Sequence, residues 1–260
     1  MSNNNDSLLR YERHIRIRSV VDEQGQVTVG TLSEMFDVSE ATIRRDLEEL
    51  DGLGWIRRTH GGAVRLERAT RELPMIQRVP EQQEAKKRIG SAAASLIKDG
   101  QTLFLGSGST VLEIARALPD GIRLTVITNS LPIINELAQR EQIEMIVIGG
   151  QFRQSELSMV GHVAEQAIRE FRADFVFIGM HAIDTFHGFT NDFLPETMTD
   201  RAIIQIAHQV VVVADHTKFG RVSSVLVAPL TSAKTIITDR GLPDDTAQEL
   251  QDVGLDLILV

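Results

Sequence analysis

Two groups of residues in this chain have the types and spacing to do chemistry on anions. The first is Gly106-Ser107-Gly108-Ser109-Thr110. Glycines free backbone N–H groups, hydroxyls add donors, and a helix starting there adds the positive end of its dipole; together these make a cradle for phosphate. The second is Thr42, Arg44 and Arg45, followed by Arg57, Arg58, His60, Gly61 and Gly62. Arginine can pair in bidentate fashion with guanine, and threonine can touch a thymine methyl or a phosphate. The two glycines let backbone approach a phosphate closely. Each group also has an ordinary alternative, a plain polar turn or a solvated helix face, and Thr110 and Glu113 have the spacing of a capping box. Their setting must decide.

Further polar residues follow apolar runs: Thr128-Asn129-Ser130, Gly149-Gly150, Gly179, and Asp215-His216-Thr217-Lys218. If those runs are parallel strands, these positions are the carboxyl ends that line a ligand crevice in an open sheet. Lys218 there could neutralise a phosphate or carboxylate. The seven histidines form no HxH or HExxH spacing, so no metal site is expected. His181 and His187 flank Asp184 in one loop. No cofactor is expected.

The elements around the arginines read as a small helical unit over 8–64. A helix over 11–23 offers Ile15, Val20 and Val21 to an inner face, and a short helix over 29–36 carries Leu32, Met35 and Phe36. Asp37-Val38-Ser39 makes a turn, with Ser39 as N-cap of a third helix. In that helix Ile43, Leu47 and Leu50 recur at core spacing, which turns Thr42, Arg44 and Arg45 the other way. Residues 55–64 read as two short strands around a glycine turn, a wing.

A stretch over 65–80, with Pro74 and Pro80 and no periodicity, reads as a linker. Beyond it, over 81–260, apolar strands are expected at 102–105, 124–128, 144–148, 175–178, 210–214, 235–238 and 256–260. Helices are expected at 81–98, 111–118, 132–140, 163–171, 199–208 and 244–252. Continuously apolar strands alternating with helices imply a parallel sheet covered on both faces. The fold class is therefore multidomain: an N-terminal winged helix (α+β) and a C-terminal α/β domain with a mainly parallel sheet covered by helices on both faces.

Bulk properties narrow the function further. The absence of cysteine excludes disulfides, thiolate zinc sites and cysteine catalysis, and suits a cytoplasmic location. No run approaches the roughly 18 apolar residues of a membrane span, so no membrane partner is expected. Met1 to Asp6 reads as a disordered lead rather than a secretion signal. The net charge is −9, and residues 1–64 carry eight arginines against eleven acids. That balance argues against non-specific coating of nucleic acid; any DNA affinity must come from placement.

The run Val38-Ser39-Glu40-Ala41-Thr42-Ile43-Arg44-Arg45-Asp46-Leu47, followed by Arg58-Thr59-His60-Gly61-Gly62-Ala63, resembles the signature of the DeoR family of bacterial transcription regulators. The resemblance continues over nearly the whole chain. It implies a helix-turn-helix over about 27–46, with double-stranded operator DNA contacted by Thr28, Ser39, Thr42, Arg44, Arg45, Arg57, Arg58, His60 and Gly61. It also implies a second domain similar in fold to ribose-5-phosphate isomerases, which binds a phosphorylated sugar effector. The residues implied for the effector are Gly106, Ser107, Gly108, Ser109, Thr110, Thr128, Asn129, Ser130, Gly149, Gly150, Gly179, His181, Asp184, Glu196, Arg201, Asp215 and Lys218. Three positions depart from the family's habit: Gly106 replaces a common acid, Ala182 a glycine, and Asp200 a lysine.

The expected protein is a non-enzymatic repressor of a carbohydrate uptake or catabolism operon. It is expected to act as a homo-oligomer, dimer or tetramer, and to leave its operator when the effector binds. The alternative is a sugar-phosphate isomerase with an added N-terminal domain, using Asp184 and Lys218. Against it stands the loop Gly179-Met180-His181-Ala182-Ile183-Asp184, which carries one carboxylate where the isomerases have an acid-rich loop.

Overall fold

The computed structural model describes residues 3–69 and 72–260. Met1 and Ser2 of the expected lead, and Thr70 and Arg71 of the expected linker, lie outside the described residues. The chain divides into two units, Met1–Glu67 and Arg68–Val260.

In the first unit a helix over Asn3–Gln24 begins within the stretch expected to be disordered. Its inner face is His14, Ile17 and Val21, whereas Ile15, expected there, is exposed. The 3.6-residue period explains the shift, since Val21 shares a face with Ile17 rather than with Ile15. Helices over Val29–Phe36 and Glu40–Gly52 follow, joined by a turn in which Asp37 is left-handed. Leu32, Ile43, Leu47, Leu50 and Ile56 are fully buried between them; Met35 is exposed.

The wing strands Arg57–Thr59 and Gly62–Val64 pair antiparallel, and the second also pairs with Gln26–Thr28. This third strand was not read from the sequence. Gly62 makes the pairing possible, because a Cβ there would lie 2.0 Å from the Val27 carbonyl oxygen.

The second unit is built on seven parallel strands. In spatial order they are Asp256–Leu259, Thr235–Thr238, Ala207–Val213, Ala173–Ile178, Thr102–Leu105, Leu124–Thr128 and Ile143–Val147. Alternate residues go to opposite faces, as the two-residue period of a strand requires. Phe104, Val176, Ile178, Val210 and Val212 pack in one core. Leu103, Leu105, Phe177, Val211 and Val213 pack in the other. Burial on both faces is why these strands read as continuous apolar runs.

The chain lays down its first three strands in one direction, then returns to add the others on the far side of Thr102–Leu105. The winding therefore reverses between Thr102–Leu105 and Ala173–Ile178, which lie side by side. A crevice opens at the carboxyl ends of strands flanking such a reversal.

Two antiparallel additions were not expected. One is a hairpin of Gln151–Arg153 with Ser158–Val160; the other is a sheet of Ala182–Asp184, Gly188–Asn191 and Val225–Ala228. The stretch read as a linker contains a short helix, Met75–Arg78, with Met75 buried in the core of the second unit. Among the described residues no helix is long and apolar enough to cross a membrane.

Candidate functional site

In the first unit the third helix, Glu40–Gly52, presents its residues as the core stripe dictates. Ser39 caps it: its Oγ accepts from the Thr42 N–H at 3.2 Å and lies 2.9 Å from the Thr42 hydroxyl. Thr28 caps the second helix in the same way, accepting from the Thr31 N–H at 3.1 Å. Arg44 and Arg45 are exposed on the face away from Ile43 and Leu47. Arg44 reaches back to Glu40 at 3.0 Å, while Arg45 has no ion-pair partner among the described residues. Arg58, His60 and Gly61 are exposed along the wing, and Arg57 is half-buried.

Asp46, next to Arg45, turns inward and is buried. It accepts from Arg13 at 2.5 and 3.0 Å and lies 2.9 Å from His14 Nε2. This acid of the third helix therefore clamps the first helix.

The second unit holds a cleft at the winding reversal, enclosing about 720 Å³ out to its open mouth. Ser107, Gly108, Ser109 and Thr110 enter it from one central strand, and Gly179, Met180 and His181 from the other. Gly108 has φ +126° and is the N-cap of the helix Ser109–Ala117, which no side chain caps. Glu113 bonds to Arg116 at 2.7 Å instead of completing a capping box. The first-turn N–H groups are thus left without a side-chain cap at the cleft.

Three cationic side chains line the same cleft. Lys218 Nζ lies 2.7 Å from Glu72 Oε1, and Arg78 Nη1 lies 3.0 Å from the same oxygen. Lys86 is buried and donates to the Arg78 carbonyl at 2.5 Å. Burial pulls the Lys86 ammonium below its usual range, partly countered by Asp215. Burial also works against ionisation of Glu72. The contact with His181 and the charges of Arg78 and Lys218 outweigh it and hold that carboxyl well below the usual range.

His181 Nδ1 is 3.1 Å from Glu72 Oε2. Neither ring nitrogen has a well-angled hydrogen bond, although the residue is 92% buried (8% exposed).

A second group is acidic. Glu196 pairs with Arg153 and accepts from Asn191 at 3.0 Å, and Asn191 also reaches Asp200 at 3.4 Å. Burial, reinforced by Glu196, pushes Asp200 well above the usual carboxylate range. Burial likewise raises Glu196, against the pull of Arg153. Glu156, paired with Arg78, is pushed up to about 7 by burial, with Glu196 and Glu72 adding to the effect. Among the described residues no three His, Asp or Glu side chains are placed to hold a metal ion.

Comparison with known proteins gives the class of molecule. Residues 13–69 match the DeoR-like helix-turn-helix domain and residues 81–240 the DeoR C terminal sensor domain. The chain belongs to the DeoR family.

It is 36% identical over 231 residues to the transcriptional repressor AccR of Agrobacterium fabrum, covering 88% of this chain and 90% of that one. It is also 36% identical to the glycerol-3-phosphate regulon repressor of Escherichia coli, covering 95% and 98%. Among solved structures, ribose 5-phosphate isomerase A from Methanocaldococcus jannaschii is similar over 54% of this chain and 55% of that one, with a TM-score of 0.40 and 19% identity. The DeoR-family chain is a DNA-binding transcriptional repressor, not an enzyme.

Within this DeoR sensor the strand order sorts the residues expected at the effector. Ser107, Gly108, Ser109, Thr110 and Gly179 line the cleft, as do His181, Glu196, Asp215 and Lys218. The others do not. Gly106 is still in the sheet, its N–H donating to Phe177 at 2.9 Å. Thr128 ends, and Asn129 follows, a strand on the far side of Thr102–Leu105. The Thr128 hydroxyl donates to Leu105 at 2.7 Å and the Asn129 amide to Met159 at 2.9 Å. Ser130 bridges to Ser158.

Gly149 and Gly150 follow the edge strand, further still from the reversal. Asp184 ends the strand Ala182–Asp184 beside a hairpin turn, accepting from the backbone of Phe186 and His187 and from the His187 ring. Those contacts outweigh burial and lower its pKa. Arg201 ties its helix to the strand Val225–Ala228 through the Val227 and Leu226 carbonyls.

The DeoR sequence reading missed Glu72, Arg78, Lys86, Glu156, Asn191 and Asp200 as lining residues. Lys86 carried a signal: it lies on the helical face of Ile89, Gly90 and Ala93, all buried. Asp200 carried one too, one helical turn after Glu196. Glu72, Glu156 and Asn191 lie in loops or an unexpected strand, with no periodicity to mark them.

Proposed function

We propose that this repressor controls a carbohydrate uptake or catabolism operon in the cytoplasm, acting as a homo-oligomer, and leaves its operator when a phosphorylated sugar or related metabolite enters the cleft. The observation that carries the reading is the uncapped N-terminus of Ser109–Ala117 meeting Lys218 at the winding reversal. Backbone N–H groups of the first turn, the hydroxyls of Ser107, Ser109 and Thr110, and the Lys218 ammonium supply donors and charge for a phosphate. Asp200 and Glu196, whose carboxyls burial raises above the usual range, face the same cleft and can hydrogen-bond to ligand hydroxyls. A relative named for the glycerol-3-phosphate regulon supports a ligand of this chemistry. Control follows if the ligand binds the operator-competent and released forms with different affinity.

Thermal shift of the full-length protein against glycerol 3-phosphate and a panel of pentose and hexose phosphates tests this. A ligand at a hundred times its Kd should stabilise the sensor by about 2.7 kcal/mol, or ~5–10 °C for a unit of this size. Lys218→Ala should shrink the shift. Operator binding that no phosphorylated compound alters, with no thermal shift, would refute the proposal. Light scattering of the free protein reads the oligomer directly.

A further inference from the structure

Glu72 stands at a junction. The winged-helix unit ends at Glu67 and the sensor begins at Arg68, so Glu72 belongs to the first stretch of sensor through which any signal to the DNA-binding unit must pass along the chain. Its carboxylate nevertheless lies in the cleft, with the side chain 13% exposed. It meets Lys218 at 2.7 Å, Arg78 at 3.0 Å and His181 at 3.1 Å. A carboxylate ringed by an ammonium, a guanidinium and an imidazole is arranged as a bound anionic ligand would be.

This leading stretch is anchored on both sides of Glu72. Downstream it is firm: the Met75 N–H donates to Ser155 at 2.8 Å, and the Met75 side chain is in the core. Upstream, the Ala69 N–H donates to Val222 at 2.9 Å. Lys218 ends a short 3-10 turn, His216–Lys218, and Val222, four residues on, lies in the short strand Arg221–Val222. The segment that grips Glu72 by charge therefore also grips Ala69 by its backbone.

We propose that Glu72 is a tethered occupant of the effector's anion site, and that an incoming phosphate competes with it for Lys218 and so loosens the stretch leading to the winged helix. The proposal rests on the reading that the cleft takes a phosphorylated ligand. It specifies that ligand further. A phosphate dianion, with more charge and more acceptor oxygens than a carboxylate, can displace Glu72, whereas a sugar acid bearing one carboxylate meets an equal already in place. It also gives the effector a route to the DNA-binding unit through a contact that exists only while the cleft is empty.

The test uses the full-length protein, with inorganic phosphate and glycerol 3-phosphate as titrants and a duplex selected by the protein from a random library as DNA. Glu72→Gln removes the internal competitor, so phosphate affinity should rise about tenfold. It also frees the leading stretch, so affinity for the duplex without ligand should fall several-fold. Lys218→Met breaks the same pair from the other side. It should lower duplex affinity as Glu72→Gln does, yet weaken phosphate binding instead of strengthening it.

That opposition of sign on phosphate, with agreement on DNA, is what general loosening of the fold would not produce. Unchanged phosphate affinity in Glu72→Gln, with circular dichroism as in the parent, would overturn the competition. A phosphate gain with unchanged duplex affinity would overturn the coupling. Phosphate and glycerol 3-phosphate binding absent from parent and both variants would instead strike the reading of the cleft itself.

Discussion

Arg45 and Asp46 are neighbours on the third helix, and substituting each in turn should give opposite kinds of damage. A step of one residue turns the side chain through about 100°. Arg45 is left in solvent and Asp46 against the first helix, where it holds Arg13 at 2.5 and 3.0 Å and His14 at 2.9 Å. Asp46→Ala removes the buried acceptor shared by the half-buried Arg13 guanidinium and by His14. Breaking a buried pair by removing one partner costs on the order of 3 kcal/mol.

For a unit of this size each kcal/mol is worth ~4–8 °C, so the winged helix should melt roughly 12–24 °C lower. The sole tryptophan, Trp55, lies in this unit beneath the Arg18 guanidinium, 5.1 Å from the ring centre. Its fluorescence therefore follows the winged helix alone, while far-ultraviolet circular dichroism follows both units. Arg45→Ala should leave the Trp55 midpoint in place. It should cost 1–3 kcal/mol of operator affinity, a factor of roughly 5–150, and relax the preferred base at one position. A Trp55 midpoint in Asp46→Ala within about 3 °C of the parent would show that the clamp carries no weight. Unchanged operator affinity in Arg45→Ala would remove that side chain from the interface.

Three further outcomes follow from the geometry. Glu156 is pushed up to about 7 from its usual 4.5, so it binds its proton more tightly folded than unfolded. Its contribution favours the fold at low pH and fades as pH rises from ~4.5 to ~7, by at most roughly 3 kcal/mol. Urea unfolding of parent and Glu156→Gln across that window should show their difference changing with this sign, and a flat difference would discount the shift. Gly62→Ala should displace the wing from Gln26–Thr28 and lower the Trp55 midpoint, because the added carbon would lie 2.0 Å from Val27 oxygen. Arg201→Ala should lower sensor stability by about 1–2 kcal/mol through its lost carbonyl contacts, while leaving phosphate affinity as it was. Weaker phosphate binding in calorimetry would return Arg201 to the cleft.

Local chemistry was legible where one element decides it. The cap at Ser39, the Ile43, Leu47 and Leu50 stripe, and the Gly61-Gly62 wing depend on residues within a few positions of each other. So do the seven apolar strands, since burial on both faces leaves a continuous run. The wing's third strand, Gln26–Thr28, is too short to leave a pattern.

The turn Ser107-Gly108 leading into the helix Ser109–Ala117 was likewise legible; what lies across the cleft from it was not. That depended on strand order, which no local pattern carries. Because the winding reverses between Thr102–Leu105 and Ala173–Ile178, Gly179, His181 and Lys218 share a cleft with Ser107, while Thr128 to Ser130, Gly149 and Gly150 are set aside. The same distant packing brings Glu72, read as a linker acid, to Lys218 at 2.7 Å across 146 residues of chain. Periodicity and capping are settled by neighbours in sequence, so the sequence determined the helices of the helix-turn-helix and the seven strands of the sheet. Charge pairing and cleft lining are settled by neighbours in space, so only the tertiary structure decided which residues line the cleft, and that Glu72 is one of them.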